Sequence, residues 1–359
     1  MKLPAKIYMP VCVVATLFAY CNFANAQGNA FNTPGNILIA DQFNNRIIEV
    51  NPANGAIVWS FGNGSSKAGI HSIVAPNDAQ RIGNLTLIAG TGAPAGTPTI
   101  YEANCVNGCV DNRVIVVNQA GQIVWKYGEA GVTGSGPNQL NTPVQATFLP
   151  NKNILVTDQG NARVIEITQQ KQIVWQYGKT GKTGSGANEL NNPNSAELLE
   201  NGDILIADEN NNRVIEVNRK KQIVWQFAPN DTTVLNGAAF ASRLCNGNTL
   251  ITDSNNNRVI EIDAAGTIVF TYVTNTRPGS VANPLPTRAI RMCDGRTLIS
   301  DQYNSQVIEI NGNGDILFSY GQIGVIGNGP NQLDAPYDAK EIGDYVGITP
   351  PFGTFFGKN

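Results

Sequence analysis

The chain has 359 residues, a formal net charge of −3 and only 14% charged residues. A mildly acidic chain without clusters of basic residues does not suit nucleic acid or an anionic membrane as a partner. Such a length would often suggest two domains, but the repeats described below favour a single one, which we expect to be a monomer.

The first 26 residues (1–26) are predicted to be a signal peptide. Two lysines precede an apolar core at 11–19, and an Ala-Asn-Ala motif places the cleavage site after Ala26. The core is too short to span a bilayer. Cys21 leaves a lipoprotein open as an alternative. The mature protein, whose net charge would be −5 without the two lysines, is expected to be secreted or periplasmic.

The segment 202–227 contains the unit from which most of the chain is built. It has three short runs of β-branched and aromatic residues at 204–206, 214–217 and 223–225, separated by turn residues, and each run is typical of a strand. A fourth strand at 193–199 leads into an Asn-Gly turn. One unit is therefore predicted to be a four-stranded antiparallel meander with strands A, B, C and D.

Charged residues recur at fixed places in this unit. Asp208 ends strand B and Arg213 begins strand C, so that their side chains should meet in the hairpin, and Glu216 follows within strand C. Most copies carry the same three residues, although the second copy has Gly90 in place of the aspartate. Residues required in nearly every copy are a requirement of the fold, and we assign them to pairing within hairpins and between blades.

The copies predict an all-β fold, a six-bladed β-propeller. Six copies of strand C recur about every 45 to 50 residues, a spacing typical of propellers. The first copy (35–61) lacks strand A, whereas 336–342 matches strand A and has no strand B after it. The C-terminal strand should therefore complete the N-terminal blade and close the ring at 27–342, followed by a tail at 343–359.

The second blade is irregular and contains the first of two predicted disulfides. Its link between strands B and C, at 91–111, is about twenty residues long where other blades use four, and it should overhang the central opening. Cys105 and Cys109 can close a small loop within it. Cys245 and Cys293 share one register in neighbouring blades, and we predict a second disulfide between them, with two thiols as the alternative.

The pattern D-x-x-N-x-R-V-I-E-V followed by G-x-I-V-W-x-Y-G resembles the repeats of NHL-type propellers, with the tryptophan typical of PQQ-like repeats. The resemblance covers about 35–342 and implies the fold. It says little about activity, because such propellers include hydrolases, transferases and binding modules.

Few residues are suited to catalysis. His71 is the only histidine, which excludes a zinc site rich in histidines and gives no basis for a Ser-His-Asp triad. A quinoprotein or sulfotransferase would also lack the residues it needs. No helix is predicted after the glycine-rich links between blades, as a phosphate-binding loop would require, and we interpret them as turns.

A site should lie where the copies differ, near the propeller axis. The first residues of the A strands provide the candidates for a ligand at the mouth of the central channel, which are Asn77, Asp78, Gln145, Asn194, Ser195, Arg288, Tyr337 and Asp338. Their oxygens suit a hard cation such as Ca²⁺. Gluconolactonase- and paraoxonase-like propellers are similar in using Glu, Asn and Asp around a central metal. The candidate calcium ligands here are Asn77, Asp78, Asn194 and Asp338.

Two functions remain open. The first is an exported binding or scaffold propeller that presents its loop-rich face to a peptide, a glycan or a small molecule. The alternative is a calcium-dependent hydrolase of the lactonase or esterase type, in which the metal would polarise a carbonyl and activate water.

Overall fold

The computed structural model describes residues 31–96, 105 and 107–344. The predicted signal peptide, the middle of the 91–111 link and nearly all of the tail lie outside the described residues. Within the described part of the chain, twenty-four strands form six four-stranded antiparallel sheets. Their inner strands contact one another in a closed cycle, which confirms the six-bladed propeller. None of the helices in this part has the length and apolar character that a membrane span requires.

Each blade is given from its inner to its outer strand. Blade 1 consists of β24 (Pro336–Glu341), β1 (Ile37–Asp41), β2 (Arg46–Asn51) and β3 (Ala56–Phe61). Blade 2 consists of β4 (Pro76–Ile82), β5 (Leu85–Ala93), β6 (Cys109–Asn118) and β7 (Ile123–Tyr127). Blade 3 consists of β8 (Pro143–Phe148), β9 (Ile154–Asp158), β10 (Arg163–Ile167) and β11 (Ile173–Tyr177).

The remaining blades follow the same order. Blade 4 consists of β12 (Pro193–Leu198), β13 (Ile204–Asp208), β14 (Arg213–Val217) and β15 (Ile223–Phe227). Blade 5 consists of β16 (Ala238–Arg243), β17 (Thr249–Asp253), β18 (Arg258–Ile262) and β19 (Ile268–Val273). Blade 6 consists of β20 (Arg288–Arg291), β21 (Thr297–Asp301), β22 (Gln306–Ile310) and β23 (Ile316–Tyr320). One-turn 3-10 helices join strands B and C at Gln159–Asn161, Glu209–Asn211, Ser254–Asn256 and Gln302–Asn304.

The ring closes as the sequence predicts. β24 pairs antiparallel with β1 from Ile37, opposite Glu341, to Asp41, opposite Pro336. This pairing converts two free sheet edges into one complete blade, and it leaves neither edge available to another chain.

The repeated aspartate and arginine form the predicted pair within the hairpins of blades 1, 3, 4 and 5. In blade 4, Nε of Arg213 lies 2.7 Å from Oδ2 of Asp208, and the other carboxylate oxygen accepts the backbone N–H of Asn191. Asn212 adopts a left-handed conformation between them (φ 46°), and its side chain accepts the N–H of Gly237 in the link to the next blade. The repeated residues thus fix each hairpin and attach it to the neighbouring link.

Blade 2 obtains the same pair from a different position. Gly90 occupies the register position of the aspartate, opposite Arg113. Asp111, two residues before Arg113, extends its carboxylate into this space, where Oδ1 lies 2.6 Å from Nε of Arg113 and Oδ2 accepts the N–H of Val74. A Cβ atom on Gly90 would lie 2.7 Å from Cγ of Asp111, so the glycine makes room for the substitute carboxylate.

Blade 6 replaces the arginine instead. Gln306 stands opposite Asp301, and Arg277 from the preceding link donates to both side chains. The pairing has therefore moved to a different residue in two of the six blades, and in each case the charges are retained.

The glutamate of strand C joins several pairs of adjacent blades. Oε2 of Glu49 lies 2.6 Å from Nη2 of Arg81 on the next inner strand, and the guanidinium lies 4.8 Å from the centre of the Trp59 ring. Glu216 and Arg243 repeat this contact at 2.9 Å between blades 4 and 5. A cation above an indole ring adds to the ion pair, so the assignment of these residues to inter-blade pairing is confirmed.

The link in blade 2 is shorter than predicted, because the hairpin continues into it. β5 and β6 remain paired as far as Ala93 and Cys109. Gly92 permits this at a bulge, with φ +91° and the carbonyl oxygen of Cys109 only 2.6 Å from where a Cβ would lie. The predicted disulfide between Cys105 and Cys109 is present, with a Cα–Cα distance of 5.2 Å, and it closes the end of the hairpin.

The second predicted disulfide is not formed, and Cys245 and Cys293 are exposed thiols. Both residues lie within the turns that connect strands A and B, between Leu244 and Gly247 and between Met292 and Gly295, and not within the strands themselves. A shared register therefore does not bring their side chains into bonding geometry.

Candidate functional site

The inner strands are held together by polar side chains. Each inner strand is the edge of its sheet, and its outward N–H groups need acceptors. Asp338, Asp78, Gln145 and Ser195, here called the inner belt, each accept the N–H of an alanine on the next inner strand. The acceptor–donor pairs, at 2.6 to 3.2 Å, are Asp338 with Ala79, Asp78 with Ala146, Gln145 with Ala196 and Ser195 with Ala241. These four candidates therefore lie between blades.

Lys340 supplies the positive charge that faces two members of the inner belt. Its Nζ lies 2.7 Å from Oδ1 of Asp78, 2.5 Å from Oδ2 of Asp338 and 3.0 Å from the carbonyl oxygen of Ala79. Burial raises the pKa of Asp78 to about 6, although attraction to Lys340 opposes this rise. Burial by itself would lower the pKa of Lys340, but Asp338 and Asp78 raise it above its ordinary value. The two carboxyls thus have a built-in counter-charge.

Arg288 joins several inner strands. Its side chain is 1% exposed and donates to the carbonyl oxygens of Val144, Asn194 and Ala239, which belong to three different inner strands. The guanidinium also lies 5.0 Å from the centre of the Tyr337 ring. A buried guanidinium with donors in several directions is well suited to join strands around an axis.

A small polar network lies beside Arg288. It consists of Asn194, Glu209 and Tyr337 and is here called the floor, because it lies at the base of the cleft described below. Nδ2 of Asn194 donates to Oε2 of Glu209 at 2.9 Å and to the hydroxyl of Tyr337 at 2.9 Å. Burial raises the pKa of Tyr337 to about 12, partly offset by Arg288, and burial also raises the pKa of Glu209. The Tyr337 hydroxyl therefore stays protonated at neutral pH.

The four predicted calcium ligands do not converge. Asp78 and Asp338 share Lys340, Asn194 belongs to the floor, and Asn77 accepts a hydrogen bond from Gln42. The described ranges hold no group of three His, Cys, Asp or Glu side chains that could bind a metal ion together. Calcium binding stays a prediction, and this geometry does not favour it because an ammonium group already occupies the space between the two carboxylates.

A cleft of about 730 Å³ opens between the floor and the blade 2 hairpin. One wall is formed by 91–96 and 107–110 of the hairpin. Asn77 and Tyr337 contribute from the inner strands. The B–C links of three further blades contribute Gln42, Phe43, Gln159, Gln302 and Tyr303. This volume falls within the range of small-ligand sites, about 300–1,000 Å³.

The lining of this cleft is uncharged and rich in amides. Of its described residues, seven are Asn or Gln and none is Asp, Glu, Lys, Arg or His. Three amides form a chain, in which Nε2 of Gln302 donates to Oε1 of Gln42 at 2.8 Å and Nε2 of Gln42 donates to Oδ1 of Asn77 at 2.8 Å. Burial, followed by the charge of Asp334, raises the pKa of Tyr303, so this phenol is also neutral.

Only two of the eight channel-mouth candidates, Asn77 and Tyr337, line the cleft. The sequence reasoning missed the residues contributed by the B–C links. Gln42, Gln159 and Gln302 each directly follow the repeated aspartate, at a position that also holds Glu209 and Ser254. The position after the aspartate varies from blade to blade, although the residues on either side of it repeat. This variation is the signal in the sequence that could have identified the three glutamines.

Comparisons with known proteins agree with the fold. A family model described as outer membrane protein assembly factor BamB, of the PQQ-like type, matches residues 25–226 and, in an overlapping alignment, 110–319. No curated protein matches the chain. A protein of unknown function from Bacteroides caccae is similar in structure, with a TM-score of 0.59 at 14% identity over 86% of this chain and 98% of that one. Virginiamycin B lyase from Staphylococcus aureus gives a TM-score of 0.49 at 14% identity, over 83% of this chain and 87% of that one.

Proposed function

The chain belongs to the family described as outer membrane protein assembly factor BamB, and we propose that it is a binding protein that takes an uncharged ligand or partner segment into its cleft. The observation that carries the proposal is the uncharged, amide-rich lining of the cleft among the described residues. Amides both donate and accept hydrogen bonds, whereas a charged ligand would lose its hydration here without gaining a counter-charge.

Filling the cleft should abolish binding. Ala95 is exposed and lines the cleft, so Ala95→Trp should block it, whereas Ala264→Trp places the same ring on an exposed C–D turn at the opposite face. The probes are blocked uncharged hexapeptides and neutral hexasaccharides, each with a charged counterpart, and the measurement is thermal unfolding. A binding probe at a hundredfold excess over its dissociation constant should stabilise the protein by about 2.7 kcal/mol.

The proposal expects stabilisation by at least one uncharged probe in the wild type and in Ala264→Trp, and none in Ala95→Trp. Stabilisation that persists in Ala95→Trp would place binding elsewhere. Stabilisation by charged probes alone would contradict the argument from the lining.

We also infer that the protein is exported. The support is the predicted signal peptide at 1–26, together with the envelope protein named in the family description. Expression of the full chain in a bacterium, followed by fractionation and mass spectrometry, should find a protein that begins at Gln27 in the periplasm or medium. An uncleaved chain in the cytosol, which still carries the two lysines of its first six residues, would contradict export. A lipid on Cys21 would establish the alternative cleavage.

A further inference from the structure

The cleft combines an ordered row of amides with an accessible aromatic ring. Tyr303, in the B–C link of blade 6, is 37% exposed and is the most exposed Phe, Tyr or Trp side chain among the described residues. It lies in the same wall as Gln302, whose amide begins the chain to Gln42 and Asn77. Of the seventeen other described aromatic side chains, ten are buried and seven are partly exposed. The ring left most exposed therefore lies at the cleft, where its face is available for contact with a ligand.

The amide row has hydrogen-bonding groups to spare. Within the row, Gln42 uses both its amide oxygen and its amide nitrogen, whereas Gln302 uses only its nitrogen and Asn77 only its oxygen. Oε1 of Gln302 and Nδ2 of Asn77 make no hydrogen bond to another described residue, so an acceptor and a donor remain at the two ends of the row. Because each hydroxyl of a sugar is both a donor and an acceptor, neighbouring hydroxyls on one ring match such a row.

The charge and the geometry together select one class of ligand. The face of a phenol ring packs against the C–H face of a pyranose, while amides bind its equatorial hydroxyl groups. The described lining has no charged side chain to recognise a carboxylate, a sulfate or an amine. An extended peptide would gain most of its affinity from an open strand edge, but β5 and β6 are paired with each other along this wall.

We propose that the cleft binds a neutral oligosaccharide, with Tyr303 as the stacking platform and the amides of Gln302, Gln42 and Asn77 as the hydroxyl-binding row. This inference rests on the proposed function and names its ligand class. The sugar would enter between the blade 2 hairpin and the B–C link of blade 6, above the floor formed by Tyr337.

The test is isothermal titration of the full protein with cellohexaose, chitohexaose and maltohexaose, beside a blocked Ser-Gly hexapeptide and hexagalacturonate. At least one neutral hexasaccharide should bind. Tyr303→Ala should weaken its binding at least tenfold, and Tyr303→Phe should weaken it less than threefold because the ring face is kept. Gln42→Leu should weaken it about tenfold by interrupting the amide row. Val224→Ala, on the exposed outer strand β15, is the matched control and should change nothing.

The outcomes separate this inference from the proposed function. If the peptide binds and no hexasaccharide does, and Ala95→Trp removes that binding, the ligand class is wrong and the binding function stands. If hexasaccharide binding survives both Tyr303→Ala and Ala95→Trp, the cleft is not the site and both proposals fail. If no neutral hexasaccharide binds at millimolar concentration, the oligosaccharide inference is overturned.

Discussion

Lys340→Met should lower the free energy of unfolding by about 3–5 kcal/mol near neutral pH, because it leaves Asp78 and Asp338 buried without their counter-charge. The loss should depend on pH. The pKa of Asp78 is already raised to about 6 in the folded protein, and it should rise further without the ammonium. A carboxyl whose folded pKa is raised favours the folded state below its unfolded pKa, near 4, and this contribution is lost as the pH rises through the folded pKa.

The deficit of Lys340→Met should therefore be smaller at pH 5 than at pH 7.5, as measured by urea unfolding at both. Adding Asp78→Asn and Asp338→Asn to the variant should recover much of the loss, since no unpaired charge then remains. Lys126→Met, at an exposed position, is the control and should change stability by less than about 0.5 kcal/mol. A deficit that is equal at both pH values would contradict the assignment.

The same unfolding experiment tests the calcium prediction. If Lys340 already occupies the space between the two carboxyls, EDTA and added Ca²⁺ should leave the wild-type transition unchanged. A rise in stability with Ca²⁺ would show that an ion site exists after all and would revive the lactonase or esterase alternative.

Gly90→Asp should destabilise the protein by about 3 kcal/mol or more, although it restores the residue that the repeat predicts. A Cβ at this position would lie 2.6 Å from Cδ1 of Ile73 and 2.7 Å from Cγ of Asp111. The new carboxylate would also be buried beside that of Asp111, which is 0% exposed and whose pKa burial already raises. The measurement is urea unfolding at neutral pH.

Two further variants separate the causes. Combining Gly90→Asp with Asp111→Gly returns the carboxylate to the position used in other blades, opposite Arg113, and should recover at least half of the loss. Gly312→Asp is the control, because a Cβ there meets no atom within 4 Å. If Gly90→Asp were as stable as the wild type, Asp111 would not be the substitute for the repeat aspartate.

The fold was predictable because its determinants are local and repeated. The strand runs, the Asp–Arg pair flanking four of the six B–C links and the offset between 35–61 and 336–342 can each be recognised in the sequence, and the structure confirms them. The substitutions by Asp111 and Arg277 were not predicted, because Asp111 lies on the same strand as its partner but outside the repeat position, and Arg277 reaches Asp301 from the preceding link. Only the folded arrangement shows that the charge has moved.

The site was less predictable, for a related reason. The A strands were correctly placed around the axis. The side chains of an edge strand, however, form hydrogen bonds to the next blade in preference to a ligand, as those of the inner belt do. Lys340, on the same strand as Asp338, forms ion pairs with the two carboxylates that suggested a metal site. These carboxylates are therefore explained by a buried ion pair. The cleft depends on B–C links from several blades, and no sequence spacing brings Gln42, Gln302 and Tyr303 together.

The pairing of β1 with β24 has a consequence for how the chain folds. The chain is synthesised at about 5–20 residues per second, and Ile37 cannot pair with Glu341 until that residue has been made. The first blade therefore has only three strands until the last strand is complete. The other five blades are each continuous in sequence and can form as hairpins emerge. Ring closure is thus the contact of greatest sequence separation, and it should be the slow, late step, during which the edge of β1 is open to other chains.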